Sequence, residues 1–172
     1  MKYHFSKIQK IQNQDIIVIL DNIRSALNVG SIIRTCDGAG VKTIISVGIT
    51  PTREHIKVRK TAIGAENFVK NIYINNENII AYITNLKKTH KVISIEKTDN
   101  SLPYDLNYIE KYQNIAFVFG NEISGINPKI IEISDYVFEL PMLGVKNSLN
   151  VAVTAGIVLY HKLLLQMNTN KT

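Results

Sequence analysis

Short apolar runs with almost no polar alternation punctuate this chain: IIVIL at 16–20, TIISV at 43–47 and NIAFVF at 114–119. A strand with one wet face alternates apolar and polar side chains, so runs like these need apolar cover on both faces. Similar runs at 68–74, 91–95 and 136–140 complete the set of expected strands. Helical patterns fall between or after them, near 29–39, 76–89, 128–133 and 150–166. Strands separated by helices predict an α/β fold: a mostly parallel sheet with helices on both faces. In open sheets of this kind, ligands bind beyond the carboxyl ends of the strands.

At 172 residues, the length predicts a single domain with a substantial core. Cys36 is the only cysteine, and the four histidines have no ligand spacing, so neither a disulfide framework nor a metal site is expected. Cys36 itself reads as a small core residue on a helix. The apolar stretches fall far short of the roughly 20 residues that span a bilayer. The first fifteen residues lack the continuous apolar segment of a secretory signal. A cytoplasmic protein without a membrane partner is the expectation. The net charge of +6 suits a polyanion through phosphate contacts, with Arg53, Lys57, Arg59 and Lys60 as the densest cluster. On charge alone, a solvated basic face is an equal reading.

Polar groups collect in three places. The first follows the strand at 16–20, in NVGSIIRT, where Asn28 is placed as the helix N-cap and Gly30 permits close approach of a backbone or ligand. Arg34 falls not quite two turns later. It suits either a surface ion pair or an anion held by a guanidinium fork. The second is FGNEISG at 119–125, where Gly120, Asn121 and Glu122 leave a central strand at its carboxyl end. Gly-Asn is also ordinary turn chemistry, and a helix cap is an alternative role for Glu122. The third is LPMLGVKNSLN at 140–150, where either Ser148 or Asn150 serves as a helix cap beside the apolar Met142 and Leu149. A pocket for a flat apolar ring with polar edges would account for the whole loop. None of these stretches completes a P-loop or a dinucleotide fingerprint.

In order and spacing, these stretches resemble motifs 1, 2 and 3 of the SpoU/TrmH-type RNA 2′-O-ribose methyltransferases of the SPOUT superfamily. The matching residues are Asn28 to Thr35, Phe119 to Gly125 and Pro141 to Val151. The resemblance implies a SPOUT-like α/β domain with a C-terminal trefoil knot, and the length leaves 1–172 expected as a single such domain with no appended RNA-binding domain. The resemblance also implies S-adenosylmethionine as methyl donor, a homodimer with the site near the subunit interface, and a ribose 2′-hydroxyl of tRNA or rRNA as acceptor.

Carried over by position, Ile95, Glu96, Gly120, Leu140, Met142 and Leu149 would hold the cofactor, largely through backbone. Arg34, Asn28, Glu122, Ser148 and Asn150 would form the catalytic set, with Glu122 holding Asn28 or the substrate ribose. Arg53, Lys57, Arg59 and Lys60 would grip RNA. Arg34 matches the family's proposed base, yet a guanidinium with a pKa above ~12 is a poor proton acceptor at neutral pH. Two roles stay open: a base perturbed by bound RNA, or a group that fixes a phosphate and stabilises the emerging alkoxide. Two other readings of the chain are a non-catalytic RNA-binding protein on the same scaffold and a small-molecule-binding α/β protein unrelated to RNA.

Overall fold

The computed structural model describes residues 15–169. The stretch read above as free of a secretory signal therefore lies, up to residue 14, outside the described residues. The elements run β1 (Ile16–Asp21), α1 (Ala26–Gly38), β2 (Thr43–Val47), α2 (Ile56–Ala62), β3 (Lys70–Ile74), α3 (Ile79–Leu86), β4 (Lys91–Ile95), β5 (Leu102–Pro103), α4 (Leu106–Glu110), β6 (Ile115–Gly120), α5 (Pro128–Ile133), β7 (Tyr136–Glu139) and α6 (Val151–Thr169). They form one seven-stranded sheet in the order β3-β2-β1-β6-β4-β7-β5. Every described pairing in it is parallel.

The unbroken apolar runs have the expected cause. Val18, Leu20, Phe117 and Phe119 face one core, which α1, α2 and α6 cover with Val29, Ile33, Val58 and Val158. Ile17, Ile19, Ala116 and Val118 face the other, under Ile79 and Ile83 of α3 and Ile130 of α5. Burying each such side chain stabilises the fold by about 1.5–3 kcal/mol relative to exposure. Cys36 is fully buried, and burial pushes its thiol pKa far up, so it is inert core.

Several expected boundaries move. The strand expected from residue 68 starts at Lys70, because a short 3-10 turn over Ala65–Asn67 precedes it. The helix expected over 76–89 contracts to Ile79–Leu86, its flanks taken up by turns closed by the Asn75 side chain and by Leu86 O. The last helix runs on to Thr169. The short elements α2, α4 and β5 are additional to the expected set: each is too short for a clear period, whereas the equally short α5 is marked by Asn127 and Pro128 at its start.

The sheet order places the site. β6 lies between β1 and β4, and the carboxyl ends of β1, β4, β6 and β7 open on the same edge. Helix α6 returns across the sheet to pack on α1.

Candidate active site

At the end of β1 the chain turns through Asn22, which holds a left-handed conformation (φ 54°). Its side-chain amide donates to Asp21 Oδ1 at 2.8 Å. Asn121 Nδ2 donates to Asn22 O at 2.7 Å, tying the tip of β6 to the tip of β1. Asp21 is buried, and its second oxygen accepts from Asn127 N at 2.7 Å. Burial raises the pKa of this carboxyl, opposed by those two hydrogen bonds. Sequence reasoning missed Asp21, although an acid ending an apolar strand was the signal that could have found it.

Helix α1 begins at Ala26, and its N-cap is Ser25, not Asn28 as the sequence suggested. Ser25 Oγ accepts from Asn28 N at 3.3 Å, which is half of a capping box. The other half comes from a distant loop. Glu122 accepts from Arg24 N at 3.0 Å and from Ser25 N at 3.2 Å. A carboxylate there also suits the positive end of the helix dipole. Relieved of capping, the Asn28 side chain donates to Glu122 Oε1 at 2.9 Å. Desolvation raises the Glu122 pKa, but the hydrogen bonds from Arg24, Asn28 and Ser25 outweigh it and hold the carboxyl below its ordinary range.

Asn150 completes the arrangement. It caps α6, with Oδ1 accepting from Ala152 N at 2.8 Å, and its Nδ2 donates to Asn28 Oδ1 at 3.2 Å. The choice left open between Ser148 and Asn150 falls to Asn150. Ser148 is exposed in the preceding loop and lines the neighbouring cleft.

That cleft, of about 180 Å³, is lined by all six residues expected to hold a cofactor: Ile95, Glu96, Gly120, Leu140, Met142 and Leu149. Glu122 and Glu139 line it too. Its floor is tightly built. A Cβ on Gly120 would fall on the backbone of Gly125 and Ile126, so only glycine lets these segments approach. Asn121 and Gly125 exchange backbone hydrogen bonds at 3.1 and 3.0 Å, with Gly125 at φ 70°. Glu96 anchors this turn, its Oε2 accepting from Ile126 N at 3.0 Å and its Oε1 from Lys97 N at 3.1 Å.

Arg34 stands apart. It is exposed on α1 and lines a separate depression with Ser31, Thr35, Lys60, Thr61 and Tyr160. Among the described residues its side chain makes no ion pair or hydrogen bond, so the surface-pair reading finds no partner among them. Gly30 serves helix packing: a Cβ there would strike Thr61 Oγ1 and Val58 O of α2. In the basic cluster, Lys57, Arg59 and Lys60 are exposed on α2, whereas Arg53 pairs with Glu54 at 3.2 Å. Among the described residues, no group of three or more His, Cys, Asp or Glu could hold a metal, and no helix is long and apolar enough to cross a membrane.

Comparison with known proteins follows the same lines. The family model described as "SpoU rRNA Methylase family" matches residues 15–160. The chain is 30% identical to the tRNA (guanosine(18)-2′-O)-methyltransferase of Aquifex aeolicus, over 87% of this chain and 69% of that one. It is 34% identical to the 23S rRNA (guanosine-2′-O-)-methyltransferase RlmB of Acinetobacter baylyi, over 88% of this chain but 61% of that one. The chain thus spans under two thirds of the second relative's length. A solved structure of an AdoMet-bound rRNA methyltransferase from Sinorhizobium meliloti superposes with a TM-score of 0.78 at 25% identity, covering 94% of this chain and 60% of that one. With the family model matching over residues 15–160 and the fold in agreement, this chain belongs to the SpoU rRNA Methylase family.

Proposed function

We propose that this protein is an S-adenosylmethionine-dependent methyltransferase acting on a ribose 2′-hydroxyl of tRNA or rRNA. The observation that carries this reading is the Glu122–Asn28–Asn150 chain of hydrogen bonds at the lip of the cleft. It joins the three motifs of the family in one place.

The cleft fits the cofactor by its chemistry. Ile95, Leu140, Met142 and Leu149 offer apolar cover for a purine, and the glycine-lined floor at Gly120 lets backbone groups reach a ligand. The carboxylates of Glu96, Glu122 and Glu139 favour a cation in the cleft. When bound, S-adenosylmethionine supplies an electrophilic methyl on its sulfonium. The chain's task is to hold the acceptor oxygen in line, about 3 Å from its target.

Glu122 is ionised at neutral pH and spends its oxygens on three donors, so its role is positional rather than proton transfer. It fixes Asn28, and Asn28 with Asn150 presents an amide edge to the ribose. Ser148 borders the same space. Arg34, which lines a separate hollow in the single chain, would reach the acceptor across a subunit boundary. There it would stabilise negative charge on the 2′-oxygen as its proton passes to solvent water and the methyl leaves the sulfonium sulfur, and fix a neighbouring phosphate. Lys57, Arg59, Lys60 and Arg53 extend a basic surface for the rest of the RNA.

The reading includes a homodimer. Val153, Ile157, Tyr160 and Leu164 are 52%, 41%, 42% and 52% exposed and follow one stripe of α6. Tyr160 of this stripe borders the depression that holds Arg34, which would bring Arg34 to a subunit boundary. The trefoil knot belongs to the same reading, supported by the insertion of β6 between β1 and β4. So does a single SPOUT-like domain, supported by one continuous sheet. A cytoplasmic location follows from an RNA substrate.

The test is transfer of labelled methyl from S-adenosylmethionine to RNA from cells lacking this protein, separated into tRNA and rRNA. Arg34→Ala runs beside it. Label in one fraction, lost by about 100-fold or more in the variant with cofactor binding intact, is the expected result. No label and no cofactor binding would overturn the reading.

A further inference from the structure

Arg34 shares its depression with a second cation. Lys60, from the last turn of α2, lines the same hollow as Arg34 of α1, together with the Ser31, Thr35 and Thr61 side chains. The two helices cannot drift apart at this point. Thr61 Oγ1 donates to Leu27 O at 2.9 Å, and Gly30 brings the α2 backbone against α1. Ile63 closes α2 in a left-handed conformation (φ 51°, ψ 49°), an unusual state for a β-branched residue, and it forms part of the rim. Lys60, like Arg34, Lys57 and Arg59, has no described ion pair, and of the α2 cations it is the one described on the lining of the Arg34 hollow. Asp37 is the one carboxylate on the lining, and it opposes an anion without cancelling both cations.

Building on the ribose methyltransferase reading, we propose that Arg34 and Lys60 together seat one backbone phosphate of the RNA beside the target ribose. Lys60 is then a positioning residue, distinct from the general electrostatic surface of Arg53, Lys57 and Arg59. A guanidinium and an ammonium from two locked helices define a point in space, which a mobile surface lysine does not. Because the seated phosphate sits next to the reacting nucleotide, losing this contact weakens the productive RNA complex, and the RNA KM reads that loss.

Lys60→Met, Lys60→Arg and Lys129→Met, the last removing a charge on α5, would be compared with the wild type. Expected for Lys60→Met is an RNA KM raised about 5–10-fold, with kcat within about twofold and unchanged S-adenosylmethionine affinity. The slope of log affinity for RNA against log salt should fall by about 1. Lys60→Arg should recover most of the loss, and Lys129→Met should leave KM as it was. Unchanged KM and salt slope in Lys60→Met would overturn the seat. If the wild type binds RNA but transfers no methyl, the enzymatic reading fails instead, and the salt slope alone still decides whether Lys60 seats a phosphate.

Discussion

Asn28 Nδ2 lies 2.9 Å from Glu122 Oε1 although 94 positions separate the two residues. One asparagine thereby reads two loops at once, since its Oδ1 accepts from Asn150 at 3.2 Å. The carboxylate that fixes it also completes the cap of α1. In the proposed reading stability and reactivity meet at Glu122, and substitutions can separate them.

Glu122→Gln keeps the shape but replaces one acceptor oxygen with a donor facing N–H groups. Unfolding should become easier by about 1–3 kcal/mol, and turnover should fall at least tenfold with RNA binding nearly intact. Because the folded-state pKa is depressed, the carboxylate stabilises the fold above its ordinary 4.5, and that share is lost as pH falls through the lowered value. Denaturant titrations across pH 6 to 3 should show a steeper acid loss in the wild type than in Glu122→Gln.

Asn150 carries two duties that a single substitution can split. Asn150→Ala removes the cap of α6 and the bond to Asn28, at about 0.5–2 kcal/mol in stability. Asn150→Asp keeps an acceptor for Ala152 N but offers no donor to Asn28. Thermal melts of Asn150→Asp should stay near wild type while methyl transfer falls as in Asn150→Ala. Equal activity in Asn150→Asp and wild type would remove the Asn28 contact from the mechanism.

Gly125→Ala tests the cleft floor. The left-handed φ of 70° disfavours any side chain, and a Cβ would lie 2.6 Å from Glu96 Oε2. Stability should drop by about 1–3 kcal/mol, and calorimetry should show at least tenfold weaker S-adenosylmethionine binding. Normal cofactor affinity with the expected instability would place the ligand away from this turn.

Lys162 gives a basic-side signature. It is almost fully buried on α6 and donates to Ile109 O at 3.0 Å and Tyr112 O at 2.8 Å. Burial pulls its pKa from 10.5 down to about 8, with Glu110 opposing. Between those values the unfolded chain binds more protons, so stability rises with pH from about 8 upward. Cys36 above its ordinary 9.0 and half-buried Tyr104 above its ordinary 10.0 work the other way, because folding holds both protonated, and the Lys162 gain outweighs the Cys36 loss up to about pH 9.5. Urea titrations of the wild type should gain stability from pH 8 to 9.5. Lys162→Met should lose that gain and leave two carbonyls unpaired, about 1–3 kcal/mol weaker at neutral pH.

Ile157→Lys places a charge in the middle of the exposed stripe of α6. Ile157 is 41% exposed in the single chain, so the monomer should keep its melting behaviour within about 0.5 kcal/mol. Sedimentation should shift from dimer to monomer. A wild type that already sediments as a monomer would remove the dimer from the reading.

Much of this architecture was legible in the chain because its strands are covered twice. Two-sided burial erases alternation, and the strands 43–47 and 91–95 appear where their apolar runs stand. Asn28 shows where local reading stops. Its position suited an N-cap, but Ser25 had the extended backbone for that role, and only the fold brings Glu122 to the second half of the box. Ile95, Glu96, Gly120 and Leu140 converge because they lie at or just past strand ends on one edge, and Met142 and Leu149 join them from the loop between β7 and α6. Arg34 sits in another hollow, and its spacing from Asn28 on a helix already held the reason. Six residues of helix carry it about 9 Å along α1 and a third of a turn away from Asn28.

The place of β6 between β1 and β4 also dictates a timetable. Ile16 pairs with Ile115 across most of the chain, and parallel contacts of such separation form slowly. Until residues 115–120 arrive, β1 and β4 keep apolar edges that invite pairing with other chains. A nascent chain on the ribosome therefore passes through an adhesive stage before the Asn28–Asn150 contact can form, because Asn150 emerges after β6. Growth temperature and chaperone supply should govern soluble yield more strongly than the final stability of the fold.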